Sequence, residues 1–269
     1  MSVINTNVKS IVAQNAMTVN NRSMNKAMEQ LSTGSRINSA GDDAAGLGIS
    51  NKMTAQIRGL NQAVRNANDG ISMLQTAEGA TKEITNMLQR MRELAVQSAN
   101  GTYNDSADRL SLDEEYQALA DQITAIADNT KWNGQGVLNT TTAVKFQVGA
   151  SAAEVLEWTP TDLKTDIATT GDLKTLAKAS TEIGVIDGLI TDVDTARSTM
   201  GATINRLSYV ADNLANISQN TSASRSRIQD TDYASATTEL ARTQIIAQAA
   251  TAMLAQANQQ PQMVLKLLS

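Results

Sequence analysis

Apolar residues recur along most of this chain at steps of three and four. In the first segment, about 3–36, Met17, Met24 and Leu31 repeat every seven residues, with Ala13, Ala27 and Met28 flanking that line. Ile4, Val8 and Ile11 make a second short stripe. Such spacing places each set on one face of an α-helix. From Leu47 to about Ala99 the pattern strengthens. Met53, Ile57, Leu60, Val64, Ala67, Ile71 and Leu74 alternate steps of four and three, the heptad pattern of a coiled-coil seam. The phase slips between Leu74 and Thr81 and resumes at Ile84, Leu88, Met91, Ala95 and Ser98. "NGTYNDS" (100–106) reads as a turn, and a helix over about 107–129 should follow with Leu112, Leu119, Ile123 and Ile126 inward.

Residues 130–182 break the helical period. Val144, Phe146 and Val148 alternate with Lys145 and Gln147, which is strand period, and Val155, Leu156 and Trp158 supply a return strand before Pro160. Helical heptads come back at Ile186, Ile190, Val193, Met200, Ile204, Leu207, Ala211 and Leu214. A polar stretch over 218–235 should relax the helix. The last segment then runs Ala236, Leu240, Thr243, Ala247, Ala250, Leu254, Ala257, Pro261, Val264, Leu268, with only Thr243 and Pro261 off type. Pro261 lacks an N–H and should kink or loosen that helix.

Each end therefore carries one apolar stripe that its own segment cannot bury. The simplest remedy is antiparallel pairing of the two ends, with Met24 and Leu31 facing part of the Leu240–Leu254 stripe. Any apolar surface left over would pack on another copy.

The segment "INSAGDDAAGLGISNKM" (37–53) separates the first two helical patterns. Gly41 and Gly46 have the spacing that opens a phosphate-binding loop, but Leu47 and Gly48 stand where Lys and Ser or Thr are needed. Asp42 and Asp43 would repel a phosphate, and the alternating acids and closing Glu of a calcium loop are missing. The segment reads as a joint, with Gly41, Gly46 and Gly48 as its hinge residues. Asp230 and Asp232 similarly read as a charged hinge before the last helix, not as an acid–base pair.

Composition narrows the function further. Aromatic residues make up 3% of the 269, so the apolar mass is aliphatic and suits helices packed side to side. There is no Cys and no His, which removes the usual transition-metal ligands, the thiol nucleophile and the common neutral-pH proton shuttle. No catalytic residue, metal or cofactor is expected. The net charge of −5 without a basic cluster argues against nucleic acid and anionic membrane surfaces as partners. No apolar run is long enough to span a bilayer, and no cleavable export signal is visible at the start.

Four stretches carry a specific likeness. "LSTGSRINSAGDDAAGLGIS" (31–50), "GLNQAVRNANDGISMLQTAEGA" (59–80) and "LQRMRELAVQSANGT" (88–102) resemble the N-terminal region of bacterial flagellin, and residues 224–269 resemble its C-terminal region. The likeness covers about 1–140 and 185–269. It implies a mainly α fold: a long coiled-coil helical bundle with a small β-hairpin region, and N- and C-terminal helices paired in an inner layer. The implied domains are a discontinuous terminal coiled coil, 1–45 plus 225–269, and an elongated bundle, 46–224, with its hairpin near 143–158. The centre is too short for large outer domains, so the chain resembles a minimal flagellin. Departures are small: Gly48 stands where Ala is common, and Lys266 and Ser269 lie where the family often ends in Arg.

The resemblance implies a structural, non-enzymatic subunit that polymerises into the bacterial flagellar filament for swimming motility. The alternative is a hook–filament junction protein. Implied partners are many copies of the same chain, the flagellar export apparatus and its chaperone, filament cap and junction proteins, and the vertebrate Toll-like receptor for flagellin. Secretion would need no cleaved signal peptide, and the location would be extracellular. The polymerisation seam would comprise Met17, Met24, Leu31, Leu240, Ala247, Leu254, Val264 and Leu268. Gln89, Arg90, Glu93, Leu94 and Glu115 match the family's receptor-contact surface, which is also expected to be subunit contact in the filament.

Overall fold

The computed structural model describes residues 6–105, 107–167 and 170–268, with side chains described as far as 259 apart from 166. Its helices are α1 (Val8–Thr33), α2 (Ala44–Ser98), α3 (Asp108–Asn129), α4 (Leu163–Ile167), α5 (Leu176–Gln229) and α6 (Tyr233–Leu268). Two antiparallel hairpins lie between α3 and α4 in sequence: β1 (Lys131–Trp132) with β2 (Gln135–Gly136), and β3 (Val144–Gln147) with β4 (Val155–Trp158). The chain divides into two compact units, Met1–Ala55 with Asn220–Ser269 and Gln56–Gln219.

In the second unit the expected seam of α2 is buried at Ile57, Leu60, Ala67 and Leu74 and again from Ile84 to Ser98. The expected phase slip leaves no gap, because Ala77 and Thr81, both fully buried, continue the seam. Thr81 can sit there because its hydroxyl donates to the Glu78 carbonyl at 2.9 Å, so no polar atom is stranded.

Helix α3 departs from the apolar pattern. Its buried line is Arg109, Asp113, Tyr116, Ala120, Ile123 and Ala127, while Leu112, Leu119 and Ile126 pack only partly against the core. The reason is a set of polar anchors. Arg109 donates from Nε to the Ser98 carbonyl at 2.8 Å and from its terminal nitrogens to the Tyr103 and Asn100 carbonyls at 2.8 and 2.9 Å. It also pairs with Asp105. These bonds cap the end of α2 and the turn after it, where carbonyls lack helical donors and a cation is favoured. Asp113 accepts from the Leu173 N–H at 2.8 Å, and the Tyr116 hydroxyl donates to Glu182 at 3.0 Å. Burial and the Glu182 carboxylate beside it push the Tyr116 hydroxyl far above the usual phenolic range.

The β3–β4 hairpin follows the predicted alternation, with Val144 opposite Trp158 and Phe146 opposite Leu156, and Phe146, Leu156 and Trp158 buried. Lys145 and Glu157, directly across, form an exposed ion pair at 2.9 Å. The hairpin lies on α2 where that helix is smooth. A Cβ at Gly59 would come within 3.0 Å of Ala150, and one at Gly70 within 2.9 Å of the Phe146 ring. The β1–β2 hairpin is an addition to the expected elements. Asn133 and Gly134 turn it with φ of 48° and 81°, the left-handed pair that an Asn-Gly hairpin turn favours.

Helix α5 continues through the polar stretch that was expected to relax it, ending only at Gln229. Its seam stays regular there, with Leu214 and Ser218 buried and the Ser218 hydroxyl bonded to Asn61 at 2.8 Å. Helical backbone likewise runs across Pro261 to Leu268.

Replacing Gly70 by Val should push the Phe146 ring off α2, at a cost of about 1–3 kcal/mol, the usual range for overpacking. Denaturant unfolding followed by circular dichroism measures it; a variant as stable as the parent would show that the hairpin does not need the bare helix surface.

Candidate assembly surface

Helices α1 and α6 pack antiparallel within the first unit, as three separate ties establish. The Asn7 amide donates to the Ala257 carbonyl at 2.8 Å, the Asn20 amide to the Thr243 carbonyl at 2.8 Å, and Ser35 forms a β-bridge with Asp230. That register sets Met17 level with Ala247 and Met24 level with Leu240. Between the helices Met17, Met24, Leu31, Leu240, Ala247 and Leu254 are all half-buried. The side chains of Val264 and Leu268, assigned to the same seam, and of Lys266 lie outside the described residues, as do Ile4 and Ser269.

The buried positions among the described residues of the two helices are polar or small: Asn20, Ala27, Ala236 and Thr243, at 9%, 3%, 6% and 2% exposure, of which only Asn20 lies off the expected stripes. Thr243, off type for an apolar stripe, satisfies its hydroxyl on the Glu239 carbonyl at 2.8 Å. Met28, expected beside the seam, is exposed, because the inward line passes through Met24, Ala27 and Leu31.

The outer faces of this pair are apolar and open. Val8, Ile11, Val12 and Val19 on α1 are 49–63% exposed, and Ile245, Ile246 and Met253 on α6 are 41–67% exposed. A groove of about 650 Å³ lies along them, lined by Val8, Lys9, Val12, Ala13, Ala16, Ala250, Met253, Gln256 and Ala257. Exposed apolar surface of that extent marks an interaction site.

The joint between α1 and α2 is tied down. Gly34 closes α1 in the left-handed region (φ 70°) and its carbonyl accepts from Thr231 N–H at 3.0 Å, while Arg36 N–H donates to the Gln229 carbonyl at 2.7 Å. Asp42 accepts from Lys26 at 2.9 Å and from the Asn38 and Ser39 N–H groups at 3.3 and 3.1 Å. Asp43 accepts the Gly46 N–H at 2.8 Å and so caps α2. Both acids are therefore structural. Of the three glycines assigned to a hinge, only Gly41 lies in the joint. Gly46 and Gly48 are inside α2. Gly46 is needed for space, since a Cβ there would strike Asp43 and come within 2.7 Å of Ile37; a Cβ at Gly48 meets nothing.

The residues matched to a receptor surface separate into two groups. Arg90 is half-exposed and held by Glu115 at 2.9 Å and by Glu93 at 3.0 Å, contacts that raise its already high pKa, Glu115 contributing most. Gln89 is exposed beside them. Leu94 corrects the expectation: it is fully buried. Helix α2 is flanked by α3 through Arg90–Glu115 and by α5 through Arg92–Asp187 at 2.6 Å. Its buried arc is therefore wide enough to include both Leu94 and Ala95. Among the described residues no acidic cluster could hold a metal ion, and no helix is long and apolar enough to cross a membrane.

The Lys26 ammonium and the two backbone N–H groups hold the Asp42 carboxyl at about 2, against an ordinary 3.8. A depressed carboxyl stabilises the fold above its unfolded pKa and loses that contribution as pH falls through the folded one. Asp42→Asn should therefore melt below the parent at neutral pH, and the gap should close between about pH 4 and pH 2. Thermal melts across that range check it; a gap independent of pH would mean the Asp42 charge is not what holds the joint.

Comparison with known proteins agrees with this architecture. Residues 4–143 match the bacterial flagellin N-terminal helical region and 183–268 the bacterial flagellin C-terminal helical region. The chain is 48% identical over 271 residues to a flagellin of Halalkalibacterium halodurans, covering 99% of each, and 40% identical to a flagellin of Bacillus subtilis, covering 98% of this chain and 99% of that one. The crystal structure of Bacillus cereus flagellin superposes with a TM-score of 0.52 at 37% identity, over 56% of this chain and 88% of that one. With both terminal regions matched in order and relatives aligned end to end, this chain belongs to the bacterial flagellin family.

Proposed function

We propose that this chain acts as the repeating structural subunit of an extracellular flagellar filament, polymerising through the outer faces of α1 and α6. The observation that carries the reading is the pair of apolar faces left uncovered after the two end helices have buried their own seam. Only neighbouring copies present a matching pair of such faces many times over. No enzymatic step belongs to this reading, and nothing in the chain favours the hook–filament junction alternative.

Secretion fits the same picture. A chain without cysteine forms no disulfide that would block its passage in an unfolded state, and its apolar end segments would need a chaperone before export. Cap and junction proteins would then meet those ends at the filament's two extremities.

Electron microscopy of the purified protein at rising concentration tests the assembly reading. Long, helically ordered filaments are expected, and soluble monomers at every concentration would sink it. Leu254→Asp should reduce filament yield nearly to zero, because an unpaired carboxylate in a packed helix seam costs roughly several kcal/mol and the loss recurs at every subunit. Yield near that of the parent would remove Leu254 from the seam.

We also infer that the free monomer presents Gln89, Arg90, Glu93 and Glu115 to the vertebrate flagellin receptor, with Leu94 supporting that surface from beneath. The support is their clustering: Arg90 is already oriented by two carboxylates, which lowers the ordering cost of a contact. Arg90→Ala with Glu115→Ala should weaken receptor signalling by roughly tenfold or more, since central Arg contacts often dominate an interface. An unchanged dose response would remove this surface.

A further inference from the structure

The α1–α6 seam repeats so regularly that an apolar-only pairing would be ambiguous. Its inward positions recur at heptad spacing on both helices, so sliding one helix by seven residues again sets small and aliphatic side chains against each other. Something polar has to distinguish the native register. One feature of α6 is unique along its length. Pro261 is the sole proline of the helix, and it removes the N–H that would otherwise bond the carbonyl four residues back, at Ala257. That carbonyl instead accepts the Asn7 amide at 2.8 Å.

We propose that Asn7 and Pro261 form a matched pair that fixes the register of the two end helices: proline orphans one interior carbonyl, and only the native alignment brings the Asn7 amide to it. Asn7 is placed for this by its own role as N-cap of α1, where its side-chain oxygen accepts the Ser10 N–H at 3.1 Å. One side chain thus ends one helix and repairs the other. An interior helix carbonyl ordinarily has the N–H four residues on as its donor, so a slipped Asn7 would gain less and would leave Ala257 unpaired. Asn20, nearly buried and bonded to the Thr243 carbonyl at 2.8 Å, is a second polar tie across the same pair, but on an ordinary helix carbonyl.

The proposal rests on the assembly reading only where filaments are the readout, so the experiment has two arms. In the first, Asn7→Ser keeps a capping oxygen but removes the amide donor. It should raise the concentration needed for filament growth by roughly tenfold, the loss expected when a shielded carbonyl goes unpaired. Pro261→Ala restores a backbone N–H for Ala257, so Asn7→Ser in that background should cost about twofold or less. Equal penalties in the two backgrounds would overturn the coupling.

The second arm needs no filament. The chain contains no cysteine, so introduced thiols alone react with a short bismaleimide. Ala13, Ala250 and Ala257 line the same groove, Ala257 one heptad further along α6 than Ala250 and so roughly 10 Å more distant along the helix axis. Ala13→Cys with Ala250→Cys should cross-link in the parent, and Ala13→Cys with Ala257→Cys should not. Adding Asn7→Ser should make the second pair react. A second pair that stays silent would overturn the register role. A parent that cross-links in register but never forms filaments would count against the assembly reading alone.

Discussion

A helix with one apolar stripe is not stable on its own, and both ends of this chain are such helices. Each can be completed only by the other, although Asn20 and Thr243 stand 223 residues apart in sequence. Closing so long a segment costs entropy that grows only slowly with length, so a seam of aliphatic and alanine contacts repeated over several turns can offset it. The joints follow from that closure. Once α1 and α6 lie side by side, Ser35 comes opposite Asp230, and Thr231 N–H and Gln229 carbonyl find partners at Gly34 and Arg36. The two breaks in the helical chain thereby satisfy one another's backbone.

Polar residues inside the second unit work by the same rule. A helix end inside a packed core leaves carbonyls without donors, and the end of α2 meets this with Arg109, whose guanidinium reaches three carbonyls in a fixed fork. Removing such a group would strand several acceptors at once, which is costlier than losing a methyl-sized contact. Asp113 serves the backbone at Leu173 in the same way. The core is aliphatic in bulk, but its connections are fixed by charged and polar side chains.

That division explains what the sequence made legible. Heptad spacing located α1, α2, α5 and α6 and most of their inward residues, because burial of aliphatic side chains is periodic. Period two located β3 and β4 for the same reason. The inward line of α3 was obscured, since its anchors, Arg109 and Asp113, look like solvent residues until the carbonyls and N–H groups they serve are in place. Helix α5 outran its apolar pattern because Ser218 is satisfied by Asn61 from across the seam. Asn133–Gly134 was a local signal for the first hairpin, masked by the loose patterning around it. Gly46 and Gly48 looked like hinge residues by composition, yet Asp43 caps the helix ahead of both. For the surface residues, Arg90, Glu93 and Glu115 do stand together, whereas Leu94 turned inward because two helices, not one, flank α2.

The joint also shows why composition alone could not assign the acids of 42–43. Two adjacent carboxylates beside glycines have the look of a ligand site, and the chemistry that excludes one is local. Asp42 is committed to Lys26 and two backbone N–H groups, and Asp43 to the first turn of α2. A carboxylate with that many donors has little capacity left for a cation, and its charge is already neutralised in part. The same commitment gives the joint its stiffness. The end helices bury one apolar face against each other and leave another open, and rotation about their own axes would exchange the two. Ties at Asn7, Asn20 and Ser35, spaced along the pair, resist such rotation, so the faces carrying Val12, Val19, Ile245 and Met253 are held outward together.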